Sequence, residues 1–232
     1  MLDAAPQSSR IARSDTETTR ARIVAAAEEL FASRGIDDVS LVEVGKAAGQ
    51  RNRSAVQYHF GDREGLLHAI LDKHTPSIEA ERRARLDAIE AADAPDLRRS
   101  VEAFVLPVAA RLEDPDGGIA FIRLNAELIG HARHPLMRLS EQRPNRAAEQ
   151  LSALFSRIAS PVPKALWQAR WLLLVGLLFH GLADWTRLAE HTDGAPLPRN
   201  VFVSHLVDQI EAVLRTPVSA ATLERLATTP RG

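Results

Sequence analysis

The chain has 232 residues, with 29 Lys and Arg against 30 Asp and Glu, and contains no cysteine. This length can form one larger domain or two small ones, with a sizeable core. The lack of cysteine excludes disulfides, thiolate metal sites and cysteine nucleophiles. A net charge near zero argues against a broadly basic surface for nucleic acid, although a local basic patch remains compatible with it.

Residues 1 to 17 are polar and lack helical periodicity, so we expect a flexible N-terminal arm. Alternatively, Arg10 and Arg13 on this arm could touch DNA phosphate or the minor groove. The first residues show no apolar signal-peptide core. The apolar run over residues 171–179 is too short to span a bilayer. We therefore expect a cytoplasmic protein without a membrane partner.

Apolar residues recur at helical spacing along the chain, which predicts an all-α fold. The first helix should cover about residues 18–33, and Gly35 should end it in a left-handed conformation. Ser40 and Glu43 form a capping-box pattern that opens the second helix, and Gly49 closes it.

A short third helix should follow this turn and end at Gly61. Either Asn52 or Ser54 could cap its start, and Ser54 with Gln57 makes a second possible capping box. Asp62 should cap the next helix at once. The second and third helices together therefore have the spacing of a helix-turn-helix.

Prolines and glycines divide the rest of the chain. Pro76 should kink or restart a helix, so a domain boundary is expected near residues 74 to 77, and Pro107 should bend another helix. Residues 216 to 232 read as a loosely packed tail. The predicted helices are 77–92, 96–113, 118–133, 136–159, 164–190 and 199–215.

The segment from Ser40 to Leu67 contains the motifs Ala48-Gly49, Tyr58-His59-Phe60-Gly61, Arg63-Glu64 and Leu66-Leu67. On these residues it resembles the helix-turn-helix of the TetR family of bacterial transcriptional regulators. The likeness covers roughly residues 18–71. It implies a DNA-binding domain over 18–75, an effector-binding and dimerisation domain over 76–215, and a dimeric repressor that releases DNA on binding a small molecule.

The turn and the start of the third helix, residues 50–57, hold basic and amide side chains and no acid. Arginine pairs with guanine, and Asn or Gln with adenine, in the major groove. An ordinary solvated turn is the alternative. The candidates for base contacts are Arg51, Asn52, Arg53, Ser54 and Gln57, and the turn, which is one residue longer than in many family members, leaves open which of the first three reads bases.

Three flanking residues, Ser40, Lys46 and Arg63, should straddle the groove and reach phosphates. The resemblance implies the same for Ser40 and Arg63. It also implies that Tyr58 and His59 lie against the DNA backbone, and that Phe60 packs into the core of the small domain.

The helix predicted over 164–190 is apolar all round between residues 171 and 179, so it must be covered on every side. A second copy could cover one side, with 199–215 completing a four-helix bundle as the resemblance implies. The alternative is a buried helix in a monomer. The candidate interface residues are Leu174, Leu177, Leu178, Phe202, Leu206 and Ile210.

An effector pocket should be apolar with a few polar groups. Each candidate could equally be an ordinary core residue. His131 and His134 are spaced for a metal, but no third ligand is near, so we expect no metal and no cofactor. The candidates are Phe104, Phe121, Asn125, Glu127, His131, Trp167, Trp171 and His180.

The resemblance thus implies a homodimeric repressor that a small molecule releases from a palindromic operator. The same fold could serve as an activator or as a ligand-independent regulator. A helical interaction module without DNA binding is a further alternative. The sequence carries none of the common hydrolase, metalloprotease or nucleotide-binding motifs, so we do not expect an enzyme.

Overall fold

The computed structural model of the protein describes residues 7–92, 96–142, 145–191 and 197–228. This part of the chain contains helices and no strand, so the all-α prediction is confirmed. The helices are α1 (Gln7–Arg34), α2 (Leu41–Ala47), α3 (Ala55–Phe60), α4 (Arg63–Glu90), α5 (Leu97–Ala109), α6 (Gly118–Ile129), α7 (Leu136–Glu141), α8 (Arg146–Ile158), α9 (Lys164–His191), α10 (Arg199–Arg215) and α11 (Ala220–Thr228), and a 3₁₀ turn, Ala110–Glu113, follows α5.

Helix α1 begins at Gln7, well before the start near residue 18 that apolar periodicity predicts. No Gly or Pro interrupts the chain between Gln7 and Arg34, so no residue type that stops a helix is present. The predicted arm over residues 1–17 therefore falls mainly in this helix, and residues 1–6 lie outside the described residues.

Helix α4 passes through Pro76 without the predicted restart. Proline removes one backbone hydrogen bond from a helix interior. Leu71 before Pro76 and Ile78 after it are both buried, and this apolar burial on either side outweighs the lost bond.

The helix predicted over 136–159 is instead two helices, α7 and α8. Asn145 starts α8 because its side-chain oxygen accepts a hydrogen bond from the backbone N–H of Ala148, at 2.9 Å. Similarly, α6 ends at Ile129 rather than near residue 133. Part of the predicted C-terminal tail forms α11, all of whose residues are at least partly accessible.

The chain divides into two compact units, of which the first comprises Met1–Pro76 and Arg111–Leu139. In it, α1 packs against α2 and α6. The large apolar side chains that are fully buried in this unit include Phe31, Ile36, Leu66, Leu67, Ile122 and Leu128.

The second unit comprises Ser77–Ala110 and Ser140–Gly232. Here α5 packs against α8 and α10, and α10 also packs against α9. Its buried side chains include Phe104, Leu151, Phe155, Leu178, Ile210 and Leu214.

Helix α9 is the one helix in the described part of the chain that is long and apolar enough, by length and composition alone, to cross a membrane. The apolar run at its centre, residues 171–179, is by itself too short to span a bilayer. A core helix of a water-soluble protein passes the same test, so this finding is weak evidence for a membrane.

Candidate nucleic-acid interface

Helix α2 opens with the predicted capping box. Ser40 Oγ accepts the N–H of Glu43 at 3.2 Å, and Glu43 Oε2 accepts the N–H of Ser40 at 2.9 Å. The backbone and side chain of Ser40, together with Arg34, lower the pKa of Glu43 to about 2, because all of them favour the charged carboxylate. The start of α2 is therefore fixed by the local sequence.

The turn between α2 and α3 is held by Asn52. Its Oδ1 accepts the N–H of Ser54 at 3.0 Å and the hydroxyl of Ser54 at 2.8 Å. Ser54 occupies the N-cap position, but its side chain makes no cap hydrogen bond, so the predicted capping box with Gln57 is wrong. Asn52 Oδ1 already accepts the Ser54 N–H that the Gln57 side chain would need. The backbone of Ser54, at φ −92° and ψ 3°, also lacks the extended conformation of a capping residue.

Helix α3 is short and has one buried side. Ala55 and Val56 are buried against the rest of the first unit, at 8% and 1% exposure. Gly61 ends the helix with a φ of 77°, as predicted. The predicted base-contacting residues are all exposed, namely Arg51, Asn52, Arg53, Ser54 and Gln57.

Tyr58 is the most exposed large side chain among the described apolar and aromatic residues, at 83%. His59 is half-buried, and its ring packs edge-on against Tyr58 with 5.1 Å between ring centroids. A solvent-exposed aromatic ring beside basic residues is typical of a surface that binds a partner.

Arg20 of α1 contacts the end of α3. Its NH1 donates to the carbonyl oxygen of His59 at 2.6 Å, and its guanidinium lies 4.5 Å from the ring centre of Phe60. Phe60 is half-buried, and Arg20 covers one face of its ring. Sequence reasoning missed Arg20, because no local spacing links residues so far apart in the chain.

The three residues expected at phosphates differ in their surroundings. Lys46 is exposed, and Ser40 is exposed while bonded to Glu43. Arg63 is half-buried instead. It donates to the carbonyl oxygen of Ile36, and its guanidinium lies 5.7 Å from the ring centre of Phe31.

Four of the predicted effector residues belong to the first unit and have partners there. Asn125 Nδ2 donates to the carbonyl oxygen of Phe121 at 2.8 Å, one helical turn earlier. Glu127 Oε1 accepts the N–H of Ile36 at 2.8 Å, which ties α6 to the loop after α1. His131 Nε2 lies 3.6 Å from Asp37 Oδ1.

The other four belong to the second unit. Phe104 and Trp171 pack with their ring centroids 5.5 Å apart, and Trp167 donates to Ser152 Oγ at 3.1 Å. His180 is exposed. The structure thus distributes the eight residues over both units.

An open groove of about 360 Å³ also lies in the second unit. None of the predicted effector residues lines it. Its lining residues are Glu81, Ala84, Arg85, Ala88, Ile89, Arg99 and Glu102. Among the described residues there is no group of three or more His, Cys, Asp or Glu side chains that could hold a metal ion.

The predicted interface residues of α9 and α10 are mostly buried within the single chain. Leu174, Leu178, Leu206 and Ile210 are at most 6% exposed, whereas Leu177 is 38% exposed. Phe202 is half-buried and stacks on Trp185 with 5.7 Å between centroids. The large apolar side chains that α9 and α10 leave exposed to solvent are Leu172, Leu173, Leu177, Leu188 and Val201.

Two family models match the chain. One, described as bacterial regulatory proteins of the tetR family, matches residues 23–70. The other, described as a tetracyclin repressor-like C-terminal domain, matches residues 102–212. The first match covers the helix-turn-helix described above, and the second covers α6 to α9 and parts of α5 and α10.

Curated relatives match over less than a third of the chain. The chain is 35% identical over 63 residues to the HTH-type transcriptional regulator TtgR of Pseudomonas putida, covering 27% of this chain and 30% of TtgR. It is 34% identical over 67 residues to the regulator SrpR of Pseudomonas putida, covering 29% and 31%. The matched part is therefore less than a third of either relative.

Solved structures match over most of the length. NalD, the secondary repressor of the MexAB-OprM multidrug efflux pump in Pseudomonas aeruginosa, has a TM-score of 0.55 at 23% identity, covering 86% of this chain and 98% of NalD. A structure from Shewanella sp. PV-4 that is ascribed to the TetR family has a TM-score of 0.57 at 14% identity, covering 84% and 95%. At these identities the likeness shows the fold.

Proposed function

Because the chain belongs to the TetR family of bacterial regulatory proteins, and is thus a DNA-binding transcriptional regulator, we propose that it is a homodimeric repressor that a small-molecule effector releases from a palindromic operator. One observation carries the DNA part of this proposal. The segment from Gln50 to Tyr58 contains no acid and carries exposed basic and amide side chains, and the preceding helix α2 begins with a formed capping box.

Direct base contacts are proposed for Arg51, Arg53 and Gln57. All three side chains are exposed. Asn52 is a weaker candidate, because its side-chain oxygen already holds Ser54. An adenine contact would need that same oxygen as an acceptor for the base amino group.

Lys46, Ser40 and the ring of Tyr58 are proposed to lie against the phosphate backbone. Arg63 reaches a phosphate only if it gives up its contacts with Ile36 and Phe31. We therefore assign Arg63 a smaller share of the binding than the family resemblance implies.

A homodimer is proposed through α9 and α10. Exposed apolar side chains at neighbouring positions, above all Leu173 at 64% exposure, favour cover by a second copy. A dimer would also place two recognition helices on two half-sites about 34–36 Å apart, or a multiple of this. Leu173→Glu should then yield monomers by sedimentation, whereas Leu223→Glu on α11 should leave dimers.

The effector is proposed to be a small, largely apolar molecule, because two candidates of the second unit, Phe104 and Trp171, form an aromatic cluster with Phe155. NalD, which shares the fold, is described as a repressor of an efflux pump. Regulation by release from DNA is consistent with that description. No catalytic role is proposed, and we place the protein in the cytoplasm.

The decisive experiment is selection of bound duplexes from a random pool, followed by salt titration of the enriched site. A roughly palindromic motif whose affinity falls steeply with salt is expected. Arg51→Ala, Arg53→Ala and Gln57→Ala should weaken that binding at defined base pairs. If no motif is enriched, the segment does not read bases, and a helical interaction module becomes the better account.

An activator or a ligand-independent regulator of the same fold is the alternative. Expression of a reporter under the selected operator is measured in cells with and without the gene for this protein. The comparison distinguishes repression from activation. Expression that rises on deletion supports the repressor, and expression that falls supports the activator.

A further inference from the structure

The end of α3 is held by a residue outside the helix-turn-helix. We propose that Arg20 of α1 is a positioning residue for DNA recognition, which fixes the C-terminal half of α3 and so sets base discrimination. This inference rests on the proposed reading of DNA by α3. The contacts that carry it are the hydrogen bond to the His59 carbonyl, at 2.6 Å, and the guanidinium over the Phe60 ring, at 4.5 Å.

Helix α3 needs outside support because it has only 6 residues. A helix this short is not stable alone in water, because nucleation outweighs the few hydrogen bonds it makes. Its last carbonyls lack partners within the helix, and a cation near them is favourable for the helix dipole. The planar guanidinium of arginine can donate to one carbonyl and cover an aromatic face at the same time.

The start of α3 is secured by other means. Asn52 holds Ser54, and Ala55 and Val56 are buried. The next two residues, Gln57 and Tyr58, have exposed side chains, so burial in the core does not hold them. The position of these two side chains therefore depends on how the following residues, His59 and Phe60, are anchored.

Arg20 could instead bind a DNA phosphate directly, and the two roles predict different measurements. A phosphate contact adds affinity for every sequence and contributes to the salt dependence, whereas a positioning role affects only the correct sequence. Arg22 provides a matched control. It lies on the same helix two positions later, carries the same charge and is exposed.

The test compares Arg20→Met with Arg22→Met and the unchanged protein. Affinities for the selected operator and for an unrelated duplex are measured at several salt concentrations. For Arg20→Met the preference for the operator should fall by about tenfold, because a charge-assisted hydrogen bond at an exposed site is lost. Its salt slope should match that of Arg22→Met.

Equal loss on both duplexes, with a salt slope smaller by about 1 than that of Arg22→Met, would mean a phosphate contact and overturn the proposal. Behaviour identical to that of Arg22→Met would overturn it as well.

Amide hydrogen exchange provides a readout without DNA. The peptide covering residues 55–61 should exchange faster in Arg20→Met than in Arg22→Met, while a peptide from α9 exchanges equally and shows that both variants are folded. If the unchanged protein enriches no motif, the proposed function fails, yet this comparison still tests the anchor. If residues 55–61 then exchange equally fast in Arg20→Met and Arg22→Met, the inference is wrong.

Discussion

Oε1 of Glu28 on α1 lies 2.6 Å from Nε2 of His74 on α4, and the two residues are only 1% and 2% exposed. Glu28 Oε2 also accepts from Lys73 Nζ at 2.8 Å, and the same ammonium lies 2.8 Å from Asp116 in the loop before α6. Burial lowers the pKa of Lys73, but hydrogen bonds to Asp116 and Glu28 outweigh it and raise the pKa overall. The Glu28 carboxylate and the Lys73 ammonium together thus link α1, α4 and the loop before α6.

Replacing Glu28 should destabilise the protein strongly. Glu28→Ala removes the shared acceptor and leaves the Lys73 and His74 side chains without that partner, which costs about 3–5 kcal/mol for a buried ion pair. Unfolding in urea measures the loss. Glu29→Ala removes a neighbouring exposed carboxylate and should change the free energy of unfolding by less than about 0.5 kcal/mol. Similar losses in both variants would show that the buried network contributes little.

Gly117 should not tolerate a side chain. Its φ is 81°, where L side chains are strained, and an added Cβ would overlap Glu28 Oε2 and lie 2.6 Å from Glu28 Cδ. Gly117→Ala should therefore destabilise the protein by about 2 kcal/mol or more. Gly130→Ala is the control, because Gly130 has a φ of −104° and open space at the Cβ position. A thermal shift for Gly117→Ala no larger than that for Gly130→Ala would contradict the geometry.

A buried arginine holds the second unit together. Arg82 is 5% exposed, donates to the carbonyl oxygens of Ala103 at 3.3 Å and Phe104 at 3.5 Å, and lies 3.4 Å from Glu79 Oε1. Burial lowers the pKa of Arg82, while Glu79 opposes that effect. The other oxygen of Glu79 accepts the N–H of Ala147 at the start of α8, at 3.2 Å.

Arg82→Met should cost about 3–5 kcal/mol in the free energy of unfolding, because it leaves the Glu79 charge and two carbonyls without this donor. Adding Glu79→Gln should recover part of the loss, so the two changes are not additive. The exposed neighbour Arg83 provides the matched Arg83→Met control. Strict additivity of the double variant would argue against a coupled pair.

The sequence predicts those features of the site whose causes are local. The capping box of Ser40 and Glu43 and the helix stops at Gly35 and Gly61 are confirmed, because each depends on neighbours within a few positions. The failed capping box of Ser54 is also local, but the sequence pattern does not show that Asn52 Oδ1, rather than the Gln57 side chain, accepts the Ser54 N–H.

Contacts between distant positions could not be predicted in this way. Arg20 and His59 are 39 positions apart, and Glu28 and His74 are 46 apart, so only the folded chain brings them together. The length of α1 could not be predicted for a related reason. The polar start of α1 lacks the apolar face by which a helix is recognised in a sequence, but it also lacks any residue that would end one.

The capping box of α2 should make stability depend on pH in the acid range. Hydrogen bonds from the backbone and hydroxyl of Ser40, and the charge of Arg34, lower the pKa of Glu43 to about 2, from about 4.3 in an unfolded chain. A carboxylate with a lowered pKa in the folded state stabilises that state fully above the unfolded pKa. This stabilisation is lost as the pH falls from about 4.3 towards about 2.

At pH 6 the free energy of unfolding of Glu43→Ala should therefore be lower than that of the unchanged protein. This difference should shrink progressively below about pH 4. Glu43→Gln is the informative control, since glutamine can keep the capping hydrogen bond but cannot ionise. Over this pH range the free energy of unfolding of Glu43→Gln should change with the same slope as that of Glu43→Ala, and it should stay higher. Urea unfolding between pH 2.5 and pH 6 measures both, and a gap that stays constant over that range would show that the charge of Glu43 does not stabilise α2.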